Sequence, residues 1–120
     1  SLDAAREHLV KVDGVMLGRA AYHDPGLLAG VDRIIFADER PRPSWDEVVN
    51  EMADYAARHV EKGGRLSHVT RHMVGLFQGL PGARRWRQIL STEATVPGAG
   101  RDVLHRAFAA VDEAGRAKAA

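Results

Sequence analysis

Apolar positions along this chain recur mostly at intervals of three and four, the spacing of one face of an α-helix. Leu2, Ala5, Leu9 and Val10 predict an amphipathic helix at the start. Val12, Val15, Met16 and Leu17 instead form a short apolar run between turn residues, which predicts a buried strand. From Ser44 the helical pattern returns. Ser44 and Glu47 make a capping box, and Val48, Val49, Met52, Tyr55, Ala56, His59 and Val60 follow at helical spacing until Gly63-Gly64. A second helix is predicted from Ser67 to Gln78, with Val69, Met73, Leu76 and Phe77 inward. The Gly79-Leu80-Pro81-Gly82 turn leads to a third over Ala83–Thr92, burying Trp86, Ile89 and Leu90. After Pro97-Gly98-Ala99-Gly100 a fourth helix buries Val103, Leu104, Ala107, Phe108 and Val111.

Four amphipathic helices with short connections predict an all-α architecture, a small antiparallel four-helix bundle over residues 44–115. The polar, proline-rich stretch 38–43 reads as a linker, and residues 116–120 as a flexible tail. A lone parallel strand near Val15 has no ladder partner in a small helical domain, so the opening segment reads as a piece of something larger; the alternative is a plain helix-to-loop connector.

Composition narrows the class. The 120 residues suit a single domain, and 45% apolar with 28% charged residues is ordinary for a globular protein. There is no cysteine, which removes disulfides, zinc–thiolate sites and a cysteine acid or nucleophile from this chain. No apolar run is long enough to span a membrane, and residues 1–8 lack a signal-peptide layout; a cytoplasmic setting is expected.

Charge changes the picture more. Residues 62–92 carry six Lys/Arg and two histidines with no Asp or Glu, while residues 1–61 hold 7 basic and 12 acidic groups. The formal net charge of +1 hides this local band. A band of that kind suits a polyanion, because each cation that neutralises a phosphate releases condensed counterions. On the predicted second helix, His68, Arg71, His72 and Gly75 share a face, and the third helix adds Arg84, Arg85 and Arg87 around Trp86. Arginine presents a planar fork that pairs with phosphate oxygens and stays charged. A solvated basic surface is the bland alternative. Metal binding by His68 and His72 is not expected, since no carboxylate accompanies them and arginines repel a cation. Trp86 has the spacing of a core residue rather than of a base-stacking platform.

Gly18-Arg19 follows the apolar run and precedes Ala20-Ala21-Tyr22, which opens a helix. Amides at such a turn can hold a phosphate, as they do after the last strands of a (β/α)8 barrel. Alone, the pair is equally an ordinary turn.

The string from Asp13 to Pro25, DGVMLGRAAYHDP, resembles the end of the barrel in tRNA-dihydrouridine synthases. The string from His68 to Arg84, HVTRHMVGLFQGLPGAR, with Trp86-Arg87 beyond, resembles the A-type branch of that family. The resemblance covers about residues 2–115. It implies that residues 1–37 are the C-terminal end of an FMN-binding TIM-type barrel, a helix plus a strand, and that residues 44–115 are a helical tRNA-recognition domain. The family reduces the C5–C6 bond of particular uridines in tRNA, using FMN and NADPH, with a barrel cysteine as general acid. By resemblance Gly18 and Arg19 would contact the FMN phosphate in a complete enzyme. His68 and Arg71 would lie against tRNA, with His72, Arg84, Arg85 and Arg87 in support. Without that cysteine and most of a barrel, the chain alone is expected neither to catalyse nor to bind FMN. Its expected partners are tRNA and the missing barrel. Residues 1–20 should be apolar and exposed, open to self-association.

Two other classes fit parts of the pattern. A helix, a Gly-Leu-Pro-Gly turn and an arginine-rich helix superficially suit a DNA-binding module. A protein-interaction scaffold would use the apolar opening segment and leave the basic band inert.

Overall fold

In this computed structural model the backbone is described for residues 1–119 and side chains for residues 1–115; the tail expected at 116–120 lies outside the residues described with side chains. The chain divides into two compact units, Ser1–Pro43 and a second that begins at Ser44.

The first unit holds α1 (Leu2–Leu9), α2 (Arg19–His23), a 3-10 helix (Pro25–Gly30) and α3 (Val31–Phe36). Ser1 caps α1 by accepting from the Ala4 N–H at 3.2 Å. Helix α1 packs on α3, and Leu2 and Ala5 are buried there at 7% and 5% exposure. That burial corrects the expectation that residues 1–20 are exposed throughout. The expectation holds for Val10, Val12 and Met16, at 84%, 51% and 85% exposure.

The strand expected over Val12–Leu17 does not form; among the described residues there is no strand. A strand exists only through ladder bonds to a neighbour, and this segment has none to pair with. Beyond α3, Asp38 anchors the proline-rich stretch, accepting from the Arg40 backbone N–H at 2.9 Å and from Arg40 Nε at 2.8 Å.

The second unit is built from α4 (Trp45–Glu61), α5 (Leu66–Thr70), α6 (Ala83–Thr92), a 3-10 turn (Glu93–Thr95) and α7 (Asp102–Ala119). The capping box that opens α4 is complete: Ser44 Oγ accepts the Glu47 N–H at 3.2 Å, and Glu47 accepts the Ser44 N–H at 2.8 Å. Such a cap contributes about 1 kcal/mol. Helix α6 has the bounds its apolar spacing predicts.

The predicted second helix does not run to Gln78. Regular α-helix ends at Thr70, and residues 71–79 form successive turns. His72, Met73, Leu76 and Gln78 each donate their backbone N–H to the carbonyl three residues back, at 2.9–3.2 Å. Val69, Thr70, His72, Val74 and Gly75 are weak helix formers, so local propensity does little to resist this tightening. What favours it is packing. The Met73 carbonyl, turned from the regular ladder, accepts the buried Trp86 Nε1–H at 2.9 Å. The expected four-helix bundle is thereby corrected to three helices of 17, 10 and 18 residues, a five-residue α5 and a tight run of turns.

Phe77 sits at the centre of the core, fully buried. Its ring meets Trp86 edge-on at 4.7 Å, Trp45 edge-on at 5.2 Å and Phe108 in a stack at 5.6 Å. Val49, Ala53 and Ala56 of α4 and Leu104 and Ala107 of α7 close round this cluster. Tyr55, expected inside, is 54% exposed, because the buried stripe of α4 centres on Ala53 and Ala56. Gly82 caps α6 with φ +84°, and a Cβ there would lie 2.7 Å from the Val111 Cα and 2.8 Å from the Ala110 carbonyl of α7. Only glycine permits both that φ and that approach.

Candidate nucleic-acid interface

The acid-free band begins at Lys62, the residue that caps α4, and runs through α5, the turn run and α6. Buried positions fix which side chains are left outside. Leu66, Val69 and Thr70 point inward from α5, and Ala83, Trp86, Ile89 and Leu90 from α6. His68, Arg71, His72, Arg84, Arg85 and Arg87 are therefore all exposed. None of them is drawn into the core. The expectation that His68, Arg71, His72 and Gly75 share one face of a continuous helix is corrected, since Arg71 already caps the end of α5. Arg71 and His72 instead open the turn run whose Met73, Leu76 and Phe77 face inward.

Ion pairs neutralise cations elsewhere in the second unit. Arg101 meets Asp54 at 2.6 Å, and Arg106 bridges Glu93 at 2.8 Å and Asp102. Among the described residues no acid pairs with Arg71, Arg84 or Arg87, while Arg85 donates to the Gln88 amide oxygen at 3.0 Å. Trp86 is not available for stacking: it is fully buried with its N–H spent on Met73.

His68 is held by its neighbours through one ring nitrogen. The Arg65 backbone N–H donates to its Nδ1 at 3.3 Å, which satisfies an orphan amide at the start of α5. The His59 Nε2 lies 3.0 Å from the same Nδ1. Spacing alone reads His59 as one more position of the α4 stripe; what places it here is the turn closing α4. The Gly63 N–H bonds to the Val60 carbonyl and the Gly64 N–H to the His59 carbonyl, both at 2.9 Å, a Schellman turn. Arg65, missed as an individual candidate, is exposed and lines a cleft of about 190 Å³ with Val60, Leu66, Val96 and Pro97.

In the first unit, Gly18 caps α2 and both Gly18 and Arg19 are exposed. A Cβ placed on Gly18 would lie 3.3 and 3.7 Å from atoms of the Met16 thioether. Among the described residues no group of three His, Asp or Glu side chains is placed to hold a metal, and no helix is long and apolar enough to cross a membrane.

Comparison with known proteins adds what geometry alone does not. Residues 1–112 match the family model of dihydrouridine synthase. The chain is 49% identical to the tRNA-dihydrouridine(20/20a) synthase of Vibrio cholerae over 92% of its own length and 34% of the relative's. It is 50% identical to the enzyme of that name from Salmonella typhi, over 90% of the chain and 32% of the relative. For the Shewanella oneidensis enzyme the values are 48%, 92% and 33%. The chain thus spans about a third of the length of the curated relatives it matches.

Proposed function

This chain belongs to the dihydrouridine synthase family, and from that membership we propose that its second unit is the tRNA-recognition part of an FMN-dependent tRNA-dihydrouridine synthase. The relatives' names give tRNA as what they act on, and the exposed basic band of residues 62–92 supplies a surface of matching chemistry. Its exposed arginines Arg71, Arg84 and Arg87, which meet no acid among the described residues, are the observation that carries the reading. They would grip the ribose-phosphate surface of a folded RNA, with His68, His72 and Arg85 beside them. A uridine inside folded tRNA must leave its stack to be reduced, so a rigid basic surface that holds the RNA meanwhile has a clear role.

Gly18 and Arg19 would hold the phosphate of FMN in the complete enzyme, and that group would supply the reducing chemistry. The exposed amide of Gly18 and the exposed guanidinium of Arg19 fit a phosphate, and that is the limit of what these residues offer the cofactor. Having no cysteine, the chain contributes binding rather than the acid step that the family resemblance implies. The remaining barrel is the partner of residues 1–37.

Competition between unmodified tRNA and duplex DNA of equal length tests the reading. Folded tRNA should displace the duplex, and Arg71→Ala should weaken tRNA binding. Preference for duplex DNA would instead favour a groove-reading module.

A further inference from the structure

We propose that His59 is a positioning residue: it donates a hydrogen bond to His68 and thereby fixes the His68 ring with its own Nε2–H outward, toward an RNA phosphate. The inference rests on the reading that His68 faces RNA. It starts from the donors around His68 Nδ1. The Arg65 backbone N–H, 3.3 Å away, can only donate, so Nδ1 presents its lone pair and the proton of the neutral ring sits on Nε2. His59 Nε2, at 3.0 Å, must then carry a proton and donate as well, since two facing lone pairs would repel. Both polar contacts engage one side of the His68 ring. The opposite nitrogen, on an exposed side chain, is left as a donor of fixed direction, which suits an acceptor such as a phosphate oxygen.

Gly64 makes this possible. The Schellman turn folds Gly64 back beneath the last turn of α4, and the His59 ring lies directly over its Cα. A Cβ at residue 64 would come within 2.1 Å of His59 Nε2 and within 2.4 and 2.5 Å of the neighbouring ring carbons. An alanine there would displace the ring, the movable end of a side chain, and leave the backbone undisturbed. The sequence Gly63-Gly64 therefore does more than stop a helix: its second glycine is the floor of the histidine pair.

Four variants of this chain test the proposal: His59→Leu removes the donor, His59→Gln keeps an amide donor, Gly64→Ala evicts the ring with both histidines intact, and His68→Ala removes the RNA-facing ring itself. Circular dichroism confirms that each is folded. The ¹⁵N shifts of the His68 ring, read without RNA, should report one Nε2–H tautomer in the parent chain and in His59→Gln. In His59→Leu and Gly64→Ala the Arg65 N–H still holds that tautomer, but the Nδ1 resonance should shift toward that of a less strongly hydrogen-bonded acceptor nitrogen. Affinity for an unmodified tRNA transcript should fall about three- to tenfold in His59→Leu, the worth of one hydrogen bond. Gly64→Ala should fall by the same factor, and adding His59→Leu to His68→Ala should cost nothing further. Unchanged His68 nitrogen shifts in His59→Leu and Gly64→Ala would overturn the proposal, and so would equal losses from His59→Leu with and without His68. If the shifts respond but His68→Ala binds tRNA as tightly as the parent, the RNA reading of His68 fails and the role with it, leaving only the pair.

Discussion

Replacing Trp86 with phenylalanine tests whether the indole holds the basic face in place. Trp86 is fully buried, and its Nε1–H donates to the Met73 carbonyl at 2.9 Å across 13 residues of sequence. Phenylalanine keeps the edge contact with Phe77 but cannot donate. The Met73 carbonyl still receives the Leu76 N–H at 3.0 Å, so it is weakened rather than orphaned. Loss of the buried bond should cost about 1–2 kcal/mol. The volume removed, about 38 Å³, adds about 0.9 kcal/mol where the site does not collapse. The expected loss is therefore about 2–3 kcal/mol, a large share of the roughly 4–11 kcal/mol that a unit of this size carries. Urea unfolding followed by far-ultraviolet circular dichroism measures it. Amide exchange should quicken first in residues 71–79, which the indole ties to α6. A stability change below about 0.5 kcal/mol, with exchange in the turn run unaltered, would refute the reasoning.

Two further outcomes follow from the same packing and charge. Gly82→Ala should destabilise by more than about 2 kcal/mol in the same urea assay, because it combines a positive φ with backbone atoms of α7 at 2.7 and 2.8 Å. The Asp102 carboxyl is held below its usual value of 3.8 by its hydrogen bond from Arg106. A group whose folded value is depressed adds stability above its unfolded value and loses it as the pH falls through the folded one. Asp102→Asn should therefore be less stable than the parent well above pH 3.8, with the gap closing in acid. Both side chains are exposed, so the gap is small and shrinks with salt; a gap that widens in acid would contradict the assignment.

The long elements were legible because their signals are local. Ser44 and Glu47 announce the start of α4, Gly63-Gly64 its end, and the spacing of Trp86, Ile89 and Leu90 gives α6. The turn run was not legible. Val69, Met73, Leu76 and Phe77 have helical spacing, and what breaks the helix is a tertiary bond from Trp86 to Met73. The strand at Val15 failed for the reverse reason: its pattern is real, but a strand needs a neighbour. Exposure of the basic residues could be read from their places between apolar positions. The pairing of His59 with His68 could not, because it depends on how a glycine turn folds back.

The central claim is that this band of cations meets the phosphates of a folded RNA. Its most direct test is the salt dependence of tRNA binding, compared between the parent chain and the triple variant Arg71→Gln, Arg84→Gln, Arg87→Gln. The logarithm of the association constant should fall linearly with the logarithm of salt. The triple variant should flatten that slope by about 2–3, roughly 0.7–0.9 for each phosphate that is no longer neutralised. Equal slopes for the two proteins would contradict the claim.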